Sequence, residues 1–163
     1  ERSSARKTAI EVAVGAVAKQ ILSQFDVKCS SRIIQIGNGK TEKEFQSEID
    51  KAKEAGDTLG GKFEVVFENL PVGLGSHVHW DRMLDGKIAQ ALMSIPAVKS
   101  VSIGNHHAYK MFGSEFHDQM YLEDGKIVRK TNNAGGIEGG MTNGEPIVVT
   151  ERFDRNRSSF RTF

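Results

Sequence analysis

An α+β fold is predicted by three features of this 163-residue sequence: two long stretches of helical apolar periodicity, several short alternating strands, and a hairpin signal. The first helix is read over 5–25. Ile10, Val14, Val17, Ile21 and Phe25 recur at helical spacing, and Ala9, Ala13, Ala16 and Ala18 fill the intervals with a strong helix former. The small residues spread over several faces, which predicts close packing against other elements. Residues 32–36 follow as a β-branched strand, and Gly37-Asn38-Gly39 as a turn. Thr41 opens a second helix. Glu44 stands three residues later, the reciprocal cap in which hydroxyl and carboxylate each satisfy a free backbone N–H. Phe45, Ile49 and Ala52 form a thin apolar stripe, so this helix belongs on the surface.

A second strand is read over 62–67, where Phe63, Val65 and Phe67 alternate. The glycine-rich run 70–80 leads to a third helix with Asp81 as N-cap. Leu84, Ile88, Ala91, Leu92 and Ile95 give it a buried stripe, and Pro96 ends it. Strand 98–103, a hairpin over 121–130 turning at Asp124-Gly125, and a final strand at 146–149 complete the reading. Five glycines fall within 135–144.

Composition narrows the function classes. Lys and Arg total 22 against 21 Asp and Glu, a net charge of +1, which argues against a nucleic-acid coat or a polybasic membrane arm. No apolar run approaches the roughly 20 residues of a membrane span. A single cysteine, Cys29, permits no intrachain disulfide and points to a reducing compartment; the expected location is the cytoplasm.

Four segments suggest chemistry. Gly37-Asn38-Gly39-Lys40-Thr41 ends like a phosphate loop, but Ile34 stands where that loop needs its first glycine. A tight turn and a cap therefore explain it. His77 and His79 could form half of a metal site, with His117 and Asp118 as further donors. No paired cysteines or H-E-x-x-H pattern supports the metal reading. In the glycine run 135–144, exposed N–H groups suit phosphates and flat polar rings, and a purely structural loop is the even alternative. Arg2-Ser3-Ser4-Ala5-Arg6 lies at a helix start, where hydroxyls, free N–H groups and two guanidinium groups make an anion site; simple capping is again the alternative. The basic and aromatic end of the chain, from Arg152 to Phe163, could contact a single strand of nucleic acid, though such a tail is more often disordered.

Taken in order, residues 1–9, 68–82, 91–99, Gly113-Ser114 with His117-Asp118, and 133–144 resemble the chorismate synthase family. Several long matches in the family's order are far more specific than any one motif. The resemblance implies a β-α-β sandwich with helices between antiparallel sheets, here incomplete, assembled as a homotetramer. It implies a lyase that removes phosphate from 5-enolpyruvylshikimate 3-phosphate with reduced FMN. Position by position, Arg2, Ser3 and Ser4, then Pro96 and Ala97, then Gly139 match the family's flavin contacts. No catalytic residue and no metal ligand is assigned, because none of the five histidines matches a catalytic one. Lys7, Gln119 and Asn132-Asn133 depart from the family's usual residues. A Lys-Pro flavin segment is expected just after Val149, where the chain reads Thr150-Glu151-Arg152-Phe153. Residues 1–149 therefore read as a central fragment of a longer family chain, not active alone, and 150–163 as a divergent, disordered tail. The competing reading is a non-catalytic domain that binds a small anion in the glycine loop, or a metal at His77 and His79.

Overall fold

The computed structural model describes residues 6–153. Four helices and eight strands follow in the order α1 (Lys7–Ser23), β1 (Lys28–Ile36), α2 (Glu42–Glu54), β2 (Gly61–Glu68), α3 (Leu84–Met93), β3 (Val98–Ile103), α4 (Gly113–Phe116), β4 (Met120–Glu123), β5 (Lys126–Arg129), β6 (Ile137–Glu138), β7 (Met141–Thr142) and β8 (Ile147–Phe153). The α+β class is as the sequence predicts. A four-stranded antiparallel sheet has the order β1-β2-β8-β3, and β4-β5 and β6-β7 are separate hairpins.

Register explains the core. Residues directly opposite one another on antiparallel strands point to the same face. Phe67 faces Ile147, Val65 faces Val149, and Ile103 faces Val149 from the other side, so one face is apolar. The other carries Lys62, Glu64, Thr150, Arg152, Ser100 and Ser102, with Arg32 paired to Glu64 at 2.7 Å. Leu84, Ile88 and Leu92 of α3 pack onto the apolar face against Ile137, Ile147 and Val149.

Local signals explain most element ends. Thr41 caps α2 with Glu44 in the reciprocal arrangement expected. The cap of α3 differs from expectation: the helix starts at Leu84 behind Met83, and no side chain caps it. Asp81 is drawn off by His79, whose Nδ1 lies 2.7 Å from its carboxylate, and the turn there is closed by the Arg82 N–H donating to the His79 carbonyl.

Two larger differences concern the ends of the sheet. The final strand does not stop at Val149, where the sequence placed the start of a divergent tail. It continues through Thr150, Glu151, Arg152 and Phe153, paired to β2 as far as Gly61 and to β3 as far as Val98. The remaining tail lies outside the described residues. The close packing expected of α1 is likewise not made among the described residues. None of its residues is buried, and Ile10 is 71% exposed. Within α1 only Thr8 and Leu22 are half-buried.

Candidate functional site

The glycine run folds as a two-residue hairpin. Glu138 of β6 pairs with Met141 of β7, so Gly139 and Gly140 form the loop, both with positive φ (58° and 81°). That is the geometry of a type I′ turn, which glycine satisfies without strain. The two glycines face different surroundings. A Cβ on Gly140 would lie 2.7 Å from the Ser76 carbonyl oxygen, and one on Gly139 would meet nothing within 4 Å. Gly75 and Gly104 are glycine for the first reason. Their Cβ atoms would strike the Gly140 and Asn133 carbonyl oxygens at 2.3 and 2.2 Å. The two glycine-rich segments thus pack backbone against backbone, and Gly139 is left at the open end of the turn.

Polar side chains hold that turn in place. Arg129, at the end of β5, donates to Glu138 at 2.7 Å and to the Asn143 carbonyl at 3.1 Å. Asn132 accepts from the Gly136 N–H and donates to the Pro146 carbonyl. Asn133 accepts from Asn105 and donates to the Phe116 carbonyl. Beneath them lies buried Asp118, accepting from Thr131 Oγ1 and from the N–H groups of Asn133 and Ala134 at 2.8 and 2.9 Å. Burial by itself would push the Asp118 carboxyl up. The bonds from Thr131, Ala134 and Asn133 and the charge of Arg129 outweigh it and hold the group below the usual carboxylate range. In the sequence Asp118 stands out as a possible metal donor and as part of a family-like segment, and Arg129 does not stand out. The signal was there in Thr131-Asn132-Asn133, three short polar side chains placed immediately before a glycine run.

Gly139 lines a surface cavity of ≈ 390 Å³ together with Asp85, Ile103, Phe116, Asn133, Ala134, Ile137 and Glu138. The apolar wall and polar rim suit a flat ring with polar edges. Asp85 and Glu138 would repel a phosphate there, so an anionic end must lie elsewhere. Pro96 and Ala97 follow the far end of α3, whereas Gly140 accepts from the Leu84 N–H at its start. Ten residues of helix separate the two places by about 15 Å. The structure therefore does not bring Gly139 into contact with Pro96 and Ala97. Ala97 has φ +69°, an uncommon conformation for a residue with a Cβ and one found more often where a backbone is held for a purpose. Arg2, Ser3 and Ser4 lie outside the described residues. The helix they precede has no acidic residue in its first turn.

The remaining candidates resolve into local structure. His77 and His79 are exposed, His79 is engaged by Asp81, and no group of three His, Cys, Asp or Glu among the described residues could hold a metal ion. In Gly37-Asn38-Gly39, Ile36 and Gly39 close a tight turn, with the Gly39 N–H donating to the Ile36 carbonyl, so the Gly-Lys-Thr motif is turn and cap. No helix among the described residues is long and apolar enough to cross a membrane.

Comparison with known proteins places these features in a family. A family model described as chorismate synthase matches residues 1–159. The chain is 52% identical to a chorismate synthase of Thermoanaerobacter pseudethanolicus over 91% of its own length and 43% of the relative's. It is 44% identical to one of Caldicellulosiruptor saccharolyticus, covering 94% of this chain and 48% of that one. A crystal structure of chorismate synthase superposes with a TM-score of 0.90 at 42% identity, over 95% of this chain and 57% of that chain. The chain thus spans less than half the length of the curated relatives it matches.

Proposed function

The chain belongs to the chorismate synthase family, and from that premise we propose that it carries the flavin-binding middle of a lyase. The reaction is the 1,4-anti elimination of phosphate from 5-enolpyruvylshikimate 3-phosphate, giving chorismate, with reduced FMN as cofactor. The observation that carries the reading is the near-complete superposition of the described fold on a solved chorismate synthase.

The proposed contacts to FMN are Arg2, Ser3, Ser4, Pro96, Ala97 and Gly139. The local geometry supports this division of labour. Gly139 offers open backbone beside an apolar wall, fit for the face of a ring. Arg2 and two hydroxyls ahead of α1, a helix with no acidic residue in its first turn, suit an anion. When bound, reduced FMN would supply electron density for cleavage of the C–O bond to phosphate. This chain's residues position the ring and exclude water from its face, and the departing phosphate is met by N–H donors and guanidinium groups. No acid–base residue is assigned within this span. The enzyme is proposed to act in the cytoplasm as a homotetramer.

Anaerobic titration of reduced FMN into the chain and into Gly139→Val tests the binding assignment, with circular dichroism confirming that both are folded. The variant should bind at least tenfold more weakly; equal affinity would remove Gly139 from the site. Phosphate release from 5-enolpyruvylshikimate 3-phosphate by the chain, measured beside an intact relative, tests the rest. Turnover within tenfold of that relative would show that an acid–base residue lies in this span after all.

A further inference from the structure

The apolar face of the sheet carries an acidic residue on its central strand. Along β8, Ile147 and Val149 point beneath α3, and Glu151 follows at the same period. Its in-register neighbours are Phe63 on β2 and Val101 on β3. Glu151 is 0% exposed, and neither carboxylate oxygen has a hydrogen-bond partner. The charged residues of the adjoining strands offer no relief. Lys62 and Glu64 of β2 and Arg152 of β8 alternate to the opposite face. Lys99 of β3 sits in the irregularity between Val98 and Ser100 and is exposed. From α3, Leu84, Ile88 and Leu92 face the core, while Asp85 lines the Gly139 cavity and Lys87 is exposed.

An ionised carboxylate in that position would place an unpaired charge against two apolar neighbours in the middle of a sheet, which is strongly unfavourable. A protonated one buries a neutral group. We propose that Glu151 is a proton-dependent lock on the central strand: β8 stays seated between β2 and β3 while the carboxyl holds its proton, and that end of the sheet loosens when the proton leaves. Burial pushes this carboxyl up to about 7, from an ordinary value of 4.5. Between those two values the folded chain keeps a proton that the unfolded chain has released. Stability therefore falls as pH rises through the window and levels off above the folded value. The lock does not depend on the flavin reading, because it involves neither Gly139 nor Pro96 and Ala97.

The test is denaturant unfolding of the whole chain from pH 4.5 to 8.5, beside Glu151→Leu and Glu151→Gln. The folding equilibrium constant of the natural chain should fall, relative to each variant, by about tenfold per pH unit across the window. It should run parallel to theirs above about pH 7.5. Parallel profiles throughout would overturn the proposal. A measurement on the natural chain alone covers the case in which a variant does not fold. An infrared band of a protonated buried carboxyl that persists at pH 6 and disappears by pH 8 supports the lock. Complete ionisation of every carboxyl by pH 6 overturns it.

Discussion

Replacing Asp118 by alanine removes one carboxylate and strands three donors. Two are backbone N–H groups, of Asn133 and Ala134, at 2.8 and 2.9 Å, and both residues are half-buried where the chain turns into the glycine hairpin. The third is the Thr131 hydroxyl, on an exposed residue that can turn to water. A hydrogen bond to a charged group contributes about 1.5–3 kcal/mol, and a stranded buried donor costs about 1–3 kcal/mol. Counting the two backbone donors in full and the hydroxyl as nearly neutral, Asp118→Ala should destabilise by about 3–5 kcal/mol. Asp118→Asn separates charge from shape. Its carbonyl can replace Oδ1, which serves Thr131 and Asn133, but its amide then points a donor at the Ala134 N–H. The expected loss is about 2 kcal/mol. The pH dependence has a definite sign. The folded carboxyl titrates below the ordinary 3.8, so its contribution is complete above 3.8 and is lost as pH falls through the folded value. Urea unfolding followed by circular dichroism at pH 7, and again between pH 3 and 5, measures both effects. A loss under about 1 kcal/mol for Asp118→Ala at pH 7, well below what two stranded buried donors cost, would refute its role as the hub of the loop.

Gly104→Ala and Gly139→Ala should diverge sharply in thermal unfolding. The first drives a Cβ to 2.2 Å from the Asn133 carbonyl and should prevent folding, whereas the second meets no atom and should cost only the left-handed strain of about 1–2 kcal/mol. Thr41→Ala removes an exposed reciprocal cap and should cost about 1 kcal/mol in urea unfolding. Leu92→Ala should cost about 2 kcal/mol, the lower end for core truncation, because Leu92 is half-buried against the cluster of Ile137, Ile147 and Val149. A change below 0.5 kcal/mol, typical of surface sites, would show that α3 does not pack there.

Local patterns are legible in the sequence where a few adjacent residues settle the matter. The Thr41/Glu44 cap, the Asp124-Gly125 hairpin and the alternation in β2 are set by side chains acting on their own backbone, and they appear where expected. Asp81 shows how that reasoning fails. As a lone residue before an apolar run it reads as a cap, but the ring of His79 competes for the same carboxylate. Gly139 was legible as a residue of consequence and not as to cause. Its turn requires positive φ whether or not a ligand approaches, and only the absence of any neighbour around its missing Cβ distinguishes it from Gly140.

By itself the sequence determined the α+β class, the order of its elements and the family, because periodicity, turn chemistry and ordered motifs are properties of the chain read one segment at a time. Everything that depends on residues far apart in the chain was decided by the tertiary structure. The strand β8 enters the middle of the sheet between β2 and β3 and carries pairing on to Phe153. Asp118 meets Thr131, Asn133 and Ala134 under a hairpin that Arg129 holds. Glu151 looks like an ordinary charge beside Arg152 in sequence, and becomes a buried, unpartnered carboxyl only when Phe63 and Val101 close over it from two other strands. Burial is a sum over neighbours brought together by the fold, and no local window of the chain contains it.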